Sequence, residues 1–193
     1  MRRIKYGFYG EDDAQKIFLK NYLELLPQAN FEMDDAFCRR FRASNNKKVD
    51  NRFRAVSQEG FLSYQLDVLF VGRDLDRYSV EDYIQKMEWF QKTAYDDQKT
   101  LFMVPVQAIE HWLWYLKIRK DNPKSTKNEP LETKPRQVAK EVVYGIADAV
   151  NAISNPIVEE LSAQFEVEWL ESRSPSFRSF HQQVKRFLVQ NNA

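Results

Sequence analysis

Apolar and polar residues alternate in blocks along the first half of the chain, and the blocks fit strands and helices in turn. Residues 4–9 form an apolar run that predicts a first strand, and after Gly10 the apolar positions recur at helical spacing from about Asp12. Residues 66–72 and 100–104 are rich in β-forming side chains and predict two further strands. This alternation favours an α/β fold with a mainly parallel sheet flanked by helices.

The stretches between these strands predict one more strand and two helices. Residues 31–37 fit a second strand, and residues 51–63 fit a helix with a break near Gly60. Another helix is predicted over residues 79–93, because Ser79 can cap it and acidic residues occupy its first turn. Residues 1–107 are therefore expected to form an α/β core.

After residue 107 the pattern becomes helical. Residues 108–118 are strongly apolar and carry three large aromatic side chains too close together for one helix face, so protein is expected to surround this helix. Residues 121–135 are rich in Lys, Asn and Pro and predict a loop. We expect residues 108–193 to form a helical extension packed on the core, so that the chain is one compact unit.

The helical extension is predicted to contain three further helices, over residues 135–153, 156–165 and 175–189. Asn155 and Ser174 are the predicted caps of the last two, each followed by a proline at the first helical position. Four apolar side chains align along the first of the three: Val138, Val142, Ile146 and Val150.

Composition favours a globular protein of the cell interior. With 193 residues, of which 43% are hydrophobic, the chain can bury a substantial core. Cys38 is the only cysteine, which excludes an internal disulfide and a cysteine-based zinc cluster. Neither a secretory leader nor an apolar run of membrane-spanning length is visible, so we expect a cytoplasmic protein that does not enter the membrane.

Charge is segregated along the chain, although the net charge is only +1. Residues 39–54 contain one acid, Asp50, and seven basic side chains: Arg39, Arg40, Arg42, Lys47, Lys48, Arg52 and Arg54. A basic segment of this kind suits contact with the phosphates of a nucleic acid. A solvated loop explains the same charges, and the sequence leaves both interpretations open.

Two aspartates follow the predicted strand at residues 66–72. Asp74 and Asp76 flank Leu75, so in an extended chain both side chains point the same way. Paired carboxylates of this kind can hold a hard divalent cation such as Mg²⁺. The alternative is a strand that runs into a polar turn, where aspartate is common in any case.

Further carboxylates follow the other predicted strands. Glu11, Asp12 and Asp13 lie at the first strand-to-helix turn, and Glu110 follows the strand at residues 100–104. The carboxyl ends of parallel strands lie at one edge of a sheet, so these groups are expected to converge there. Asp12 is left out of the predicted site, because the helix dipole favours an acid at that position anyway. Glu110 begins an apolar helix and needs a partner, which a metal or an arginine would provide.

The order of these motifs resembles the Toprim superfamily, the catalytic fold of topoisomerases, primases and the overcoming-lysogenization-defect nucleases. More narrowly, it is similar to the small bacterial proteins of the DUF4276 type. The resemblance rests on Gly10-Glu11-Asp12-Asp13, Asp74-Leu75-Asp76, Ile109-Glu110-His111-Trp112-Leu113 and Arg173-Ser174-Pro175-Ser176-Phe177. These short motifs span nearly the whole chain.

The resemblance implies a metal-dependent phosphodiester-cleaving enzyme, a nuclease with Mg²⁺ or Mn²⁺ as its cofactor, in a defence or mobile-element setting. The implied metal ligands are Glu11, Asp13, Asp74, Asp76 and Glu110. Glu11 would also act as general base, and Lys140 would neutralise the phosphate in the transition state. The implied partners are a nucleic acid, DNA in preference to RNA, and an ATPase on a separate chain, since no Walker A loop is present.

One departure from the family pattern leaves other functions open. The usual Toprim turn places a glutamate before the glycine, whereas Tyr9 holds that place here and Glu11 follows Gly10. The alternative function is therefore a catalytically weakened module that binds nucleic acid or regulates another protein. A third is phosphate transfer or release on a nucleotide or small molecule. The oligomeric state is not fixed by the sequence.

Overall fold

A four-stranded parallel sheet forms the centre of the protein in the computed structural model, which describes residues 3–126 and 128–191. The strand order is β2-β1-β3-β4, for strands at Arg3–Gly10 (β1), Asn30–Met33 (β2), Val68–Gly72 (β3) and Thr100–Met103 (β4). All three strand pairs are parallel. The predicted α/β class, with a parallel sheet flanked by helices, is confirmed.

Nine α-helices surround this sheet within the described residues. They are α1 (Asp13–Glu24), α2 (Asp35–Arg40), α3 (Asn46–Leu62), α4 (Val80–Thr93), α5 (Glu110–Asp121), α6 (Arg136–Tyr144), α7 (Asn151–Ser162), α8 (Val167–Arg173) and α9 (Pro175–Asn191). A short 3-10 turn at Leu131–Thr133 precedes α6.

The helices after β4 share one hydrophobic core with the sheet. The ring of Phe180 on α9 contacts Phe70 on β3, and the Gln183 side chain bonds to the backbone of Phe102 on β4. Trp112 on α5 is fully buried and packs against Phe18 of α1. Burial of these aromatic side chains contributes most to holding the helices on the sheet.

Two predictions for the first half are wrong in extent. The strand expected over residues 31–37 ends at Met33, because Asp34 caps α2 by accepting a hydrogen bond from the Phe37 amide. The helix expected over residues 51–63 begins earlier, at Asn46, where Asn45 supplies the cap. It passes through Gly60 without a break. Glycine fits the close packing at this position, because a Cβ at Gly60 would lie 3.1 Å from Leu66.

The largest error concerns the helix expected over residues 135–153. Helix α6 ends at Tyr144, because Gly145 adopts a left-handed conformation with φ of 79°. The four aligned aliphatic side chains of that prediction are between 36% and 61% exposed. The next helix, α7, is capped at Val150 rather than at Asn155, and α8 has no counterpart in the sequence-based expectation.

The division of the chain into an α/β core (residues 1–107) and a helical extension (residues 108–193) remains a prediction. Positions 1, 2, 127, 192 and 193 of these two parts lie outside the described residues. Across the residues that the structure describes, no helix has both the length and the apolar composition needed to cross a membrane.

Candidate functional site

The carboxyl ends of three neighbouring strands lie side by side at one edge of the sheet. Gly10 of β1 is in register with Gly72 of β3, which in turn is in register with Met103 of β4. Residues that follow these positions therefore start from the same edge. This is the edge at which α/β proteins bind ligands.

Asp74 is the most deeply buried acid of this edge. Its side chain has no exposed surface; Oδ1 accepts a hydrogen bond of 2.6 Å from Gln15 Nε2, and Oδ2 lies 3.4 Å from Arg136 Nη2. Burial raises the pKa of Asp74 well above its usual value, and the negative charge of Glu110 adds to this shift while Arg136 opposes it. The folded protein therefore carries an acid here that resists ionisation.

Asp76 lies at the surface of the same group. It adopts a left-handed backbone conformation with φ of 68°, which aspartate tolerates better than most residues. Its carboxylate accepts hydrogen bonds of 2.6 Å from Asn46 Nδ2 and 2.8 Å from Arg136 Nη1. One guanidinium thus contacts both aspartates of the motif.

Glu110 begins α5 and is buried, as its apolar surroundings predict. Lys140 Nζ lies 3.9 Å from Glu110 Oε1, and Tyr144 lines the same cavity as Glu110. Burial raises the pKa of Glu110, whereas its own backbone amide and then Lys140 lower it. Among the described residues, the cation nearest to this carboxyl group is therefore a lysine rather than a directly bound arginine.

Glu11 is half-buried at the mouth of the group. Burial raises its pKa, and the charge of Asp76 adds to the increase, while Arg136 opposes it. Asp12, which sequence reasoning set aside, also belongs to this environment, because its charge raises the pKa of Asp74 and of Glu110. Its own side chain caps α1 through the Ala14 amide.

Asp13 has a different set of neighbours. Its carboxylate is paired with Arg42 at 2.8 Å and accepts a hydrogen bond of 3.0 Å from Asn151. Together with Glu11, Glu110 and Lys140 it lines an open, mostly polar cavity of about 270 Å³. Asp13 therefore borders the cavity, with its charge already matched by an arginine.

The oxygen atoms of the site suit a hard divalent cation. Four buried oxygens of the site accept no hydrogen bond from any described residue: Asp74 Oδ2, Glu110 Oε2, Gln15 Oε1 and Asn46 Oδ1. Carboxylate and amide oxygens are the ligands that Mg²⁺ and Mn²⁺ prefer. Within residues 3–126 and 128–191, no three acidic, histidine or cysteine side chains lie close enough together to enclose an ion as they stand. Arg136 and Lys140 are the cations that lie beside these carboxyl groups.

Arg136 is the main component of the site that sequence reasoning missed. It follows a loop whose backbone carbonyl groups are held by two buried side chains. Gln107 Nε2 donates a hydrogen bond of 2.9 Å to Glu132 O, and His111 Nε2 lies 2.9 Å from Lys134 O. The signal that could have found it is spacing. Arg136, Lys140 and Tyr144 recur every four residues and so share one helix face.

The basic segment lies on α2, α3 and the turn that joins them, and its six predicted nucleic-acid contacts are exposed: Arg39, Arg40, Arg42, Lys47, Lys48 and Arg52. Arg40 is paired with Glu59. Lys47 and Lys48 make no ion pair with any other described residue, and they follow Asn46, the residue that donates to Asp76. The middle of the segment therefore lies beside the acidic group.

Tyr9 does not take part in the acidic group. Its side chain is buried, and its hydroxyl donates a hydrogen bond of 2.8 Å to the Lys48 carbonyl on α3. Burial raises the pKa of this hydroxyl to about 12. Tyr9 is thus a packing residue, and Glu11 is the acid that follows β1 at the site.

Comparison with known proteins identifies no relative: the chain matches no protein-family model, no curated protein and no solved structure.

Proposed function

We propose that the acidic group is the cation site of a Mg²⁺- or Mn²⁺-dependent enzyme that cleaves phosphodiester bonds in nucleic acid, DNA in preference to RNA. The observation that carries this proposal is that Arg136 pairs with both Asp74 and Asp76 at the edge where Glu11 and Glu110 also lie, while the buried oxygens Asp74 Oδ2 and Glu110 Oε2 accept no hydrogen bond from any described residue. Burying carboxylate oxygens without hydrogen-bond donors is costly, and a bound cation would offset that cost.

Each residue has a distinct part in this proposal. Asp74 and Glu110 would hold the cation, with Gln15 as a neutral ligand and Asp76 at the rim. The bound cation would supply positive charge to the phosphate oxygens as charge develops on them. Glu11, whose pKa is raised and which lies at the mouth, would accept a proton from the attacking water.

The cations around the cavity suit a phosphate group. Lys140 and Arg42 both line the cavity, from α6 and from the turn between α2 and α3. Each could contact a phosphate oxygen there and stabilise the charge of the transition state. The exposed Lys47 and Lys48 would bind neighbouring phosphates of a polymer. An ATPase on a separate chain and a role in defence or in mobile elements remain expectations from the family resemblance.

A second function is favoured by one observation. Arg136 contacts both Asp74 and Asp76, and a guanidinium can replace a metal ion as the permanent counter-ion of two carboxylates. In that case the protein would be a catalytically weakened module that binds nucleic acid through its basic segment without cleaving it. The third function, phosphate release from a nucleotide or small molecule, would be detected by a cleavage assay with nucleotides as substrates.

The deciding experiment is cleavage of single- and double-stranded DNA and RNA by the purified chain with Mg²⁺, with Mn²⁺ and with chelator. We expect metal-dependent cleavage that falls by about a hundredfold or more in Glu11→Gln, the range for loss of a general base. Glu166→Gln is the matched control, because this exposed glutamate is paired with Arg119 and not with the site.

Salt-sensitive binding without metal-dependent cleavage would favour the weakened module. Cleavage that survives Glu11→Gln would show that another group accepts the proton.

A further inference from the structure

Arg136 holds its position at an electrostatic cost. It is the first residue of α6, and the positive end of a helix dipole disfavours a cation there. Its Nε is buried and has no hydrogen-bond partner among the described residues. The charges of the acidic group, led by Asp74, are what stabilise the protonated guanidinium.

Helix α6 packs on its neighbours through one face, and its first turn contributes nothing to that face. Its buried side chains are Ala139, Val143 and Tyr144, whereas Val138 and Val142 on the outer face are 39% and 36% exposed. A helix of nine residues has little stability of its own. Because no side chain of this helix before Ala139 is buried, the first turn can open at low free-energy cost, as the ends of helices commonly do.

The contact of Arg136 with Asp74 conflicts with a bound metal ion. Asp74 Oδ1 already accepts from Gln15, so Oδ2 is the oxygen left for a cation, and Arg136 Nη2 faces it at 3.4 Å. A guanidinium and a divalent ion at one buried oxygen would repel each other. Arg136 also has a second partner, Asp76, which is 46% exposed and can keep the guanidinium at the rim.

We propose that Arg136 is an exchangeable counter-ion: it neutralises Asp74 in the metal-free protein and leaves that carboxylate when a divalent cation binds, so that metal binding moves the first turn of α6. This inference rests on the proposed function, because it requires the cation site. It adds that access to the cation site is regulated by a positive charge carried on the first turn of α6.

The test is Mn²⁺ affinity, measured from the electron paramagnetic resonance of free Mn²⁺ during titration of the full chain. A neighbouring arginine lowers the proton affinity of a carboxylate by about ten- to a thousandfold, and its charge opposes a divalent ion in the same sense. Arg136→Gln is therefore expected to bind Mn²⁺ at least about tenfold more tightly than the wild type. Arg136→Lys keeps the charge, and its Mn²⁺ affinity is expected to lie between those of Arg136→Gln and the wild type. Arg119→Gln is the matched control, since it removes an arginine paired with Glu166, and its affinity is expected to equal that of the wild type.

Binding by the wild type with equal or weaker binding by Arg136→Gln would overturn the exchange and leave the cation site intact. Absence of binding in both proteins would overturn the proposed function together with the exchange.

A measurement on the wild type keeps the test independent of how well Arg136→Gln folds. Hydrogen–deuterium exchange of residues 139–144 is compared with and without saturating Mn²⁺. Displacement of Arg136 is expected to speed exchange in this helix. Unchanged or slower exchange with bound Mn²⁺ would contradict the inference.

Discussion

Asp74→Asn is expected to stabilise the metal-free protein at neutral pH, although it removes a member of an ion pair. The Asp74 carboxylate has no exposed surface, and taking an ion out of water costs several kcal/mol even after the protein relaxes. Asparagine keeps the shape and the oxygen that accepts from Gln15. The substitution strands no charge, because Arg136 retains its 2.8 Å contact with Asp76.

The magnitude follows from the raised pKa of Asp74. Each unit by which folding raises the pKa of a carboxyl group destabilises the ionised folded state by about 1.4 kcal/mol. Replacement of buried ion pairs by neutral groups is commonly neutral or stabilising by about 1–4 kcal/mol. Because Arg136 already offsets part of the cost, we expect a gain of about 1–3 kcal/mol at pH 7.5. For a chain of this length, each kcal/mol raises Tm by about 2–4 °C.

The sign can be checked through pH. The pKa of Asp74 is higher in the folded protein than in the unfolded chain, so folding takes up a proton between the two values. Wild-type stability should therefore fall as pH rises from the unfolded value of about 3.9 through the folded pKa. Asp74→Asn should show a shallower decline, with the remainder due to Glu11 and Glu110, whose pKa values are raised as well.

The assay is urea denaturation in chelator at several pH values. Asp76→Asn is the control, because it makes the same chemical change at a carboxylate that is 46% exposed, and its effect should stay within about 0.5 kcal/mol. The reasoning is refuted if Asp74→Asn is less stable than the wild type by about 1 kcal/mol or more at pH 7.5 with an unchanged denaturant slope. Such a result would mean that the Asp74–Arg136 attraction exceeds the cost of burial.

Three other predictions concern the rest of the chain. Changing Arg39, Arg40 and Arg42 together to Ala should reduce the steepness of the plot of log DNA affinity against log salt concentration by up to about 3. The same change at three exposed basic residues of α9 is the control and should leave this slope unchanged. Gly145→Ala should cost about 1–2 kcal/mol in thermal unfolding, because φ of 79° is unfavourable for alanine, and an unchanged Tm would contradict this. Glu132→Ala should cost about 1–3 kcal/mol in urea, because the buried carboxylate accepts hydrogen bonds from two serine hydroxyls at the start of α9; an unchanged midpoint would contradict this.

The convergence of the acids could be predicted from sequence because it depends on sheet topology alone. Once residues 66–72 and 100–104 are recognised as parallel strands, Asp74 and Glu110 must start from the same edge. The same logic brings Glu11 there from β1. Only the parallel direction of the strands was needed, and the alternation of strands and helices predicts it. The order of the strands, β2-β1-β3-β4, was not predicted.

The cationic half of the site could not be predicted in the same way. Arg136 reaches the aspartates because Gln107 and His111 bind backbone carbonyl groups of the preceding loop, and tertiary contacts of this kind leave no local pattern. The end of α6 was present in the sequence as Gly145. The helical spacing of Val138 and the apolar residues aligned with it favoured a longer helix. The same spacing fits a buried helix face and an exposed helix face, so it could not locate the end of α6.

Anomalous diffraction from crystals soaked in Mn²⁺ tests the central claim most directly, because it locates the ion without reference to substrate. The account predicts a peak bound by Asp74 Oδ2 and Glu110 Oε2, with Glu11 at its open side. A soak at saturating Mn²⁺ that shows no peak at these carboxylates, with Arg136 still in contact with both aspartates, would contradict the claim.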